Sequence, residues 1–213
     1  MKALFFDLDG TLVKSMGAHV KSWKQSLSSQ GLETTEERLM QLGGVSFEDT
    51  ISIIAKENNR KISSQKKQSI HELKQIVFQK YLDEIKPYNV YDDLKRLKDK
   101  KFLLILVTST KRKFAQHHCN SFFPEIFDTI LSAEDFIHSK PNPEPYLKAW
   151  EISGFDKKDC YVIEDAPSGI TSGNAAGIKT LAVLTSNTKE NLSHAYRIFE
   201  THALLFDYLK SQK

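Results

Sequence analysis

Two aspartates separated by one residue follow the first apolar run of the chain. Residues 3–6 read as a short buried strand, so Asp7 and Asp9 lie at its carboxyl end and Gly10 begins a loop. Two like charges about 4 Å apart repel by roughly 4 kcal/mol at an effective dielectric constant of about 20. A bound cation, or a reaction that uses one of the carboxylates, is the natural reason to keep such a pair.

More polar side chains follow later apolar runs or lie in the loop between them. They are Thr108, Ser109, Lys140, Glu164 and Asp165. In an open parallel sheet, ligands bind beyond the carboxyl ends of the strands. We therefore expect four carboxylates, hydroxyl groups and one lysine at a single edge of a sheet.

These groups suit phosphoryl transfer. Mg²⁺ prefers oxygen ligands and is usually bound by one or two carboxylates together with phosphate oxygens, and Asp7 and Asp165 are the expected pair. One carboxylate can attack phosphorus, while Asp9 can protonate the leaving oxygen and later activate water. Lys140 offers a point charge for phosphate, and Thr108 offers a hydroxyl beside backbone N–H groups.

The elements that must position these groups fall into two blocks. Residues 15–85 show helical spacing of apolar residues and no strand signal, and the last helix of this block is predicted to continue through Ile85 and to end before Pro87. Helix-start signals occur at Ser15, Thr34, Ser46 and Ser63.

After Pro87, predicted strands alternate with predicted helices, which is typical of βαβ units and a parallel sheet. The predicted strands are 102–107, 128–131, 160–163, 180–184 and 203–206. The fold class is therefore α/β. A Rossmann-like parallel-sheet core is expected from residues 1–14 and 86–213, with an inserted all-helical, four-helix cap domain from residues 15–85.

Four motifs occur in a recognisable order: Asp-x-Asp-Gly-Thr-Leu, an apolar strand ending in Thr, Lys-Pro-x-Pro, and Glu-Asp-x-x-x-Gly. Together they resemble the haloacid dehalogenase (HAD) superfamily. Within it the chain resembles the β-phosphoglucomutase-like branch, whose helical cap is inserted after the first strand. The resemblance covers essentially the whole chain and is specific because all four motifs are present at suitable separations.

The resemblance implies a role for each matching residue. Asp7 would be the nucleophile and a metal ligand. Asp9 would be the general acid and base, with its backbone carbonyl facing the metal. Thr108 would hold the transferring phosphate, and Lys140 would bridge the phosphate and the nucleophile.

It also implies that Asp165 ligates Mg²⁺ and that Glu164 does so directly or through water. His19 matches a histidine at the cap entrance of this branch, and Gly10 serves the hinge of the cap. The candidate substrate-binding residues are Gly10, His19 and Ser109. Two simpler interpretations stay open: Glu164 as a carboxylate outside the metal's ligands, and His19 as an ordinary helix histidine.

Departures from the branch bear on the type of reaction. The sugar-phosphate mutases carry basic cap residues where this chain has Gly43, Phe47 and Val77. A mutase must hold a bisphosphate at both ends, so their loss favours a Mg²⁺-dependent phosphatase. The expected substrate is a small phosphorylated metabolite, a sugar or polyol phosphate, hydrolysed through an aspartyl-phosphate. The alternatives are a β-phosphoglucomutase-type hexose phosphate mutase and a non-catalytic phosphometabolite-binding module.

Composition limits the other possibilities. The 213 residues are 40% hydrophobic, and the formal net charge of +3 is too small and dispersed to indicate nucleic acid. The longest apolar run, 102–107, is far shorter than the ~20 residues that span a bilayer. Two cysteines without zinc-site spacing favour a reducing compartment, and the N-terminus lacks signal-peptide architecture. We expect a cytoplasmic monomer with no membrane partner.

Overall fold

The computed structural model describes residues 2–212, in which six parallel strands form one sheet in the order β3-β2-β1-β4-β5-β6. The strands are β1 (Ala3–Phe6), β2 (Leu103–Val107), β3 (Thr129–Leu131), β4 (Cys160–Glu164), β5 (Lys179–Val183) and β6 (Arg197–Phe199). β1 lies between β2 and β4, which places the ends of these three strands side by side.

Helices fill the chain between β1 and β2. The first four are α1 (Met16–Ser28), α2 (Glu36–Gln41), α3 (Phe47–Glu57) and α4 (Ser64–Gln79). Their apolar faces form a separate cluster that includes Leu27, Ile51, Ile54 and Ile70. This block is the helical cap that the sequence predicts.

The remaining helices cover the sheet. They are α5 (Tyr91–Asp99), α6 (Arg112–Phe122), α7 (Glu144–Ser153), α8 (Pro167–Ala175) and α9 (His202–Ser211). Alternate residues of β1 enter different apolar clusters: Leu4 and Phe6 belong to one, and Ala3 and Phe5 to the other. Because both faces of the sheet are buried, β1 reads as a continuous apolar run rather than an alternating one.

The chain leaves the sheet for the cap and returns along adjacent segments. Lys14 N–H donates to the Lys86 carbonyl at 2.8 Å, and Tyr88 N–H donates to the Leu12 carbonyl at 2.9 Å. The segment that enters the cap and the segment that leaves it therefore run side by side and are joined by these hydrogen bonds. The domain boundaries after residues 14 and 85 stay a prediction.

The structure corrects three predicted elements. Residues 203–206 are part of helix α9, not a strand, and the last strand is β6, which precedes it. The Thr201 side chain caps α9, and a short apolar run does not by itself distinguish a strand from a buried helix. Helix α4 ends at Gln79 rather than continuing through Ile85, and Thr35 rather than Thr34 caps α2.

Helix α8 lies close to the sheet because glycines line its inner face. A Cβ atom at Gly173 would lie 2.3 Å from Thr180 Oγ1 and 3.2 Å from Val162 Cγ1. Gly173 therefore lets α8 pack closely against β4 and β5. Within residues 2–212, no helix is both long enough and apolar enough to cross a bilayer.

We predict that Gly173→Ala lowers the free energy of unfolding by about 1–3 kcal/mol, because β4 and β5 leave no room for a methyl group. Gly17→Ala is the matched control. Gly17 is exposed in α1 and a Cβ there has no neighbour within 4 Å, so the control should be neutral or stabilising by up to about 1 kcal/mol. Urea denaturation measures both, and equal stability of the two variants would contradict this packing argument.

Candidate active site

A buried lysine joins the ends of three strands. Lys140 Nζ donates to Asp7 Oδ1 at 2.6 Å, to Glu164 Oε1 at 2.7 Å and to the Val107 carbonyl at 3.0 Å. The Lys140 side chain is only 1% exposed. Since an ammonium group has three donors, all of them are used. The loop containing Lys140 thus reaches the strand ends that the sequence predicts it to meet.

Asp165 is held by groups from two other loops. Thr11 Oγ1 donates to Asp165 Oδ1 at 2.9 Å, and the Ser186 hydroxyl donates to Asp165 Oδ2. Gly10 has φ of 86°, and a Cβ atom there would lie 2.1 Å from Asp165 Oδ2. Gly10 therefore allows the first loop to approach this carboxylate closely.

Three buried carboxylates converge at this edge of the sheet. Asp7, Glu164 and Asp165 each offer an oxygen, and these oxygens lie within 4.8 Å of one another. Burial raises the pKa of Asp7 well above its ordinary value, although the charge of Lys140 opposes the shift. Burial and the charge of Glu164 raise the pKa of Asp165 to about 7. The cluster holds more negative charge than Lys140 balances, and its all-oxygen donor set fits a divalent cation such as Mg²⁺.

Asp9 lies beside this cluster in a network of donors. Ser15 Oγ and Thr110 Oγ1 each donate to its carboxylate at 2.6 Å, and His19 Nε2 and Thr108 Oγ1 are each 3.3 Å from it. Burial alone would raise the pKa of Asp9, but the hydrogen bonds and the charge of His19 hold it well below its ordinary value. Asp9 is therefore ionised in this conformation.

A cavity of about 130 Å³ lies between the cap and the strand ends, and Asp7 and Asp9 line it. Apolar cap side chains make much of its wall: Met16, Val20, Trp23, Leu39, Leu42, Val45 and Phe47. Ser109 lines the cavity, but its hydroxyl donates to the Gly44 carbonyl of the cap at 3.0 Å. To donate to a substrate, as predicted, the Ser109 hydroxyl would have to give up this hydrogen bond to the cap.

The cap places a lysine at the cavity at position 74, and not at position 77, where the sugar-phosphate mutases carry a basic residue. Val77 is buried in the cap, whereas Lys74, one turn earlier in α4, lines the cavity. Lys74 Nζ lies 5.1 Å from the Trp23 ring centroid, 5.2 Å from that of Phe78 and 3.4 Å from His19 Nδ1. Burial lowers its pKa to about 8. The cap thus brings one lysine to the site, although Gly43, Phe47 and Val77 supply no cation.

Three other contacts of the site were missed. The sequence predicts Ser15 as the N-cap of a helix. In the structure the Ser15 hydroxyl donates to Asp9 and makes no capping hydrogen bond with the backbone of α1. Thr110 follows Thr108 and Ser109, and only the strand-to-helix turn brings its hydroxyl back to Asp9. Tyr146 lies in α7 and reads as an ordinary core aromatic, although its hydroxyl donates to Glu164 Oε1 at 2.6 Å.

A parallel sheet, an inserted helical cap and an acidic cluster at the strand ends define the class of the protein. The family model of haloacid dehalogenase-like hydrolases matches residues 4–203. The chain therefore belongs to the haloacid dehalogenase-like hydrolase family and is an enzyme of its phosphohydrolase type.

Two curated relatives match most of the chain. The "Phosphorylated carbohydrates phosphatase" of Thermotoga maritima is 28% identical over 183 residues, which are 85% of this chain and 84% of that relative. The "Pyrophosphatase PpaX" of Oceanobacillus iheyensis is 28% identical over 189 residues, which are 87% of this chain and 85% of that relative.

Solved structures share the whole architecture. A hydrolase from Pseudomonas syringae has a TM-score of 0.92 at 21% identity and covers 100% of this chain and 99% of its own. The β-phosphoglucomutase of Clostridium difficile has a TM-score of 0.85 at 24% identity and covers 99% of this chain and 96% of its own. At these identities the likeness concerns the fold alone, and it confirms the predicted fold class with its helical cap.

We predict that Mg²⁺ binding strengthens as the pH rises through about 7. The ionised form of Asp165 binds the ion, and below its folded-state pKa a proton competes for the carboxylate. The Mg²⁺ concentration that gives half of the full rise in melting temperature should be about tenfold higher at pH 6 than at pH 8. Equal concentrations at the two pH values would contradict the prediction, and Asp165→Asn should remove most of the Mg²⁺ effect.

Proposed function

We propose that the protein is a Mg²⁺-dependent phosphatase that hydrolyses a small phosphorylated metabolite through an aspartyl-phosphate on Asp7. One observation carries this proposal. The Asp7 carboxylate lines a cavity between the cap and the sheet, 2.6 Å from a buried ammonium group and within reach of two further acidic side chains. A nucleophile for phosphorus needs this combination of fixed position and neutralised charge.

Asp7 and Asp165 would hold the ion, with Glu164 directly or through water and with the backbone carbonyl of Asp9. When bound, the ion neutralises the carboxylates and draws phosphate oxygens toward Asp7. Lys140 adds a second positive charge at a fixed distance from the nucleophile. The Thr108 hydroxyl lines the cavity 3.3 Å from Asp9, where it can donate to the transferring phosphate.

The first half of the reaction forms a bond between an Asp7 oxygen and phosphorus and breaks the bond to the leaving oxygen. Asp9 would supply the proton that the leaving oxygen takes up. Its carboxylate is ionised in this conformation, but a phosphate dianion arriving beside it raises its pKa and favours proton uptake. The substrate itself would therefore bring Asp9 into its acidic form.

The second half transfers the phosphoryl group to water. Asp9, ionised again after losing its proton, would accept a proton from the attacking water, and the bond between Asp7 and phosphorus would break. The donors around Asp9 suit this step because they stabilise its charged form and fix its direction.

A sugar or polyol phosphate is the substrate class we propose. The name of the Thermotoga maritima relative supports this choice, and the ring of Trp23 offers an apolar face for a sugar. Lys74 offers one charged donor for a hydroxyl or an acidic group on the leaving group. Because another relative is named as a pyrophosphatase, inorganic pyrophosphate belongs in the substrate panel.

The alternatives carry less support. A hexose phosphate mutase must hold two phosphates, and the cap contributes a single lysine, Lys74, to the wall of the cavity among the described residues. A non-catalytic binding module would not need Asp9, whose network of four donors is built for an ionised carboxylate. Conversion of β-glucose 1-phosphate to glucose 6-phosphate would favour the mutase, and ligand binding without turnover would favour the module.

We also propose a cytoplasmic monomer that acts on a small phosphate ester, without nucleic acid or membrane as a partner. The cysteines Cys119 and Cys160 are both buried and unpaired, which suits a reducing compartment.

We predict that Asp7→Asn lowers kcat on the best ester of the panel by about 1000-fold or more, because the amide is a poor nucleophile for phosphorus. The panel contains sugar phosphates, polyol phosphates and pyrophosphate, each assayed with and without Mg²⁺. The matched control is Asp156→Asn, an exposed aspartate at the other end of β4, which should keep full turnover. Full turnover by Asp7→Asn would exclude it as the nucleophile.

We predict that Lys74→Met raises KM about tenfold and leaves kcat within about twofold. The variant keeps the length and the apolar stem between Trp23 and Phe78 but loses a charged donor to the leaving group. Lys24→Met, which removes a surface ion pair with Glu36 on the same cap, is the control. A normal KM for Lys74→Met would show that the leaving group does not touch this lysine.

A further inference from the structure

Tyr146 is a fully buried residue whose hydroxyl reaches the reactive end of the sheet. Its O–H donates to Glu164 Oε1 at 2.6 Å, and its ring centroid lies 4.9 Å from Lys140 Nζ. A phenylalanine would fill the apolar cluster of α7 and β1 equally well. The hydroxyl group is therefore explained by Glu164 and not by packing.

The Glu164 carboxylate is fixed from every side. Its Oε1 accepts from both Tyr146 and Lys140, while the N–H groups of Asp165 and Ala166 donate to Oε2 at 3.1 and 3.4 Å. A Cβ atom at Gly169 would lie 1.9 Å from Glu164 Cδ. Helix α8 thus comes so close that the carboxylate has no room to turn.

This arrangement determines where the Lys140 ammonium lies. Two carboxylates compete for it, with Asp7 at 2.6 Å and Glu164 at 2.7 Å. The hydrogen bond from the Tyr146 hydroxyl stabilises part of the negative charge on Glu164 Oε1. It also holds this oxygen in place, so that the oxygen cannot move with the Lys140 ammonium. Lys140 then remains between the two acids instead of collapsing onto one of them.

We propose that Tyr146 is a positioning residue that acts through Glu164 on Lys140 and on the metal-binding acids. The inference rests on the proposed phosphatase function, since the position of Lys140 matters because it orients Asp7. A short hydrogen bond from a neutral phenol to a buried carboxylate is among the stronger ones in proteins.

Tyr146→Phe removes the hydroxyl and keeps the ring beneath Lys140. We expect kcat to fall about tenfold with KM within about twofold, because an oriented charge at the nucleophile is lost. The Mg²⁺ concentration for half of the full rise in melting temperature should increase about tenfold, as for other groups that orient metal ligands. This second measurement needs no substrate.

Tyr161→Phe is the matched control. Tyr161 is also a buried tyrosine, but it lies on the other face of the sheet, and its hydroxyl donates to Gln212 at 3.2 Å. The control should keep the wild-type kcat and Mg²⁺ response. Glu164→Met, which has a similar length and no carboxylate or amide oxygen, supplies a second test: if Tyr146 acts through Glu164, adding Tyr146→Phe to that variant should change kcat by less than about twofold.

The outcomes are distinct. A Tyr146→Phe protein with a lower melting temperature but unchanged kcat and Mg²⁺ response would overturn the inference and leave a packing role. A tenfold loss of kcat that persists in the Glu164→Met background would also overturn it. If the wild type hydrolyses no ester of the panel but the Mg²⁺ response shifts in Tyr146→Phe, the proposed function fails and the positioning of the metal-binding acids by Tyr146 stands.

Discussion

The buried ammonium of Lys140 is the contact on which the site depends. Taking an ammonium group out of water costs several kcal/mol unless acids and hydrogen-bond acceptors replace the solvent. Its three acceptors belong to residues at the ends of β1, β2 and β4, which lie side by side because Phe6 pairs with both Leu106 and Ile163. If any one of these strands shifted its register, Lys140 would lose an acceptor. The chemistry of the site therefore requires the strand register that the sheet has.

The part of the site that follows from the ends of parallel strands can be predicted from the sequence. Asp7, Thr108 and Asp165 follow apolar runs, and parallel strands bring such positions to one edge whatever the rest of the chain does. The residues missed are those placed by tertiary packing. Tyr146 looks like any core aromatic of a helix, and Lys74 is one polar residue of a mixed helix whose rotation about its axis only the packed cap determines.

Element boundaries show the same limit. Apolar runs bounded by turn residues predict β1 and β2 to within one residue, because such runs leave little choice of structure. Residues 203–206 are apolar too, but Leu205 and Leu209 lie one turn apart on the face of α9 that packs against the sheet. The pattern beyond residue 206 and the cap at Thr201, not the run itself, distinguish this helix from a strand.

The two halves of the reaction place opposite demands on Asp9, and its donors show how one carboxylate can meet both. Ser15 and His19 come from the cap side, whereas Thr110 comes from the turn after β2. The low pKa of Asp9 therefore requires the cap to lie against the sheet. Moving the cap away would remove two donors, but it would also relieve the burial that raises the pKa, so both effects depend on the position of the cap. Cap position and the proton affinity of Asp9 are thus physically linked.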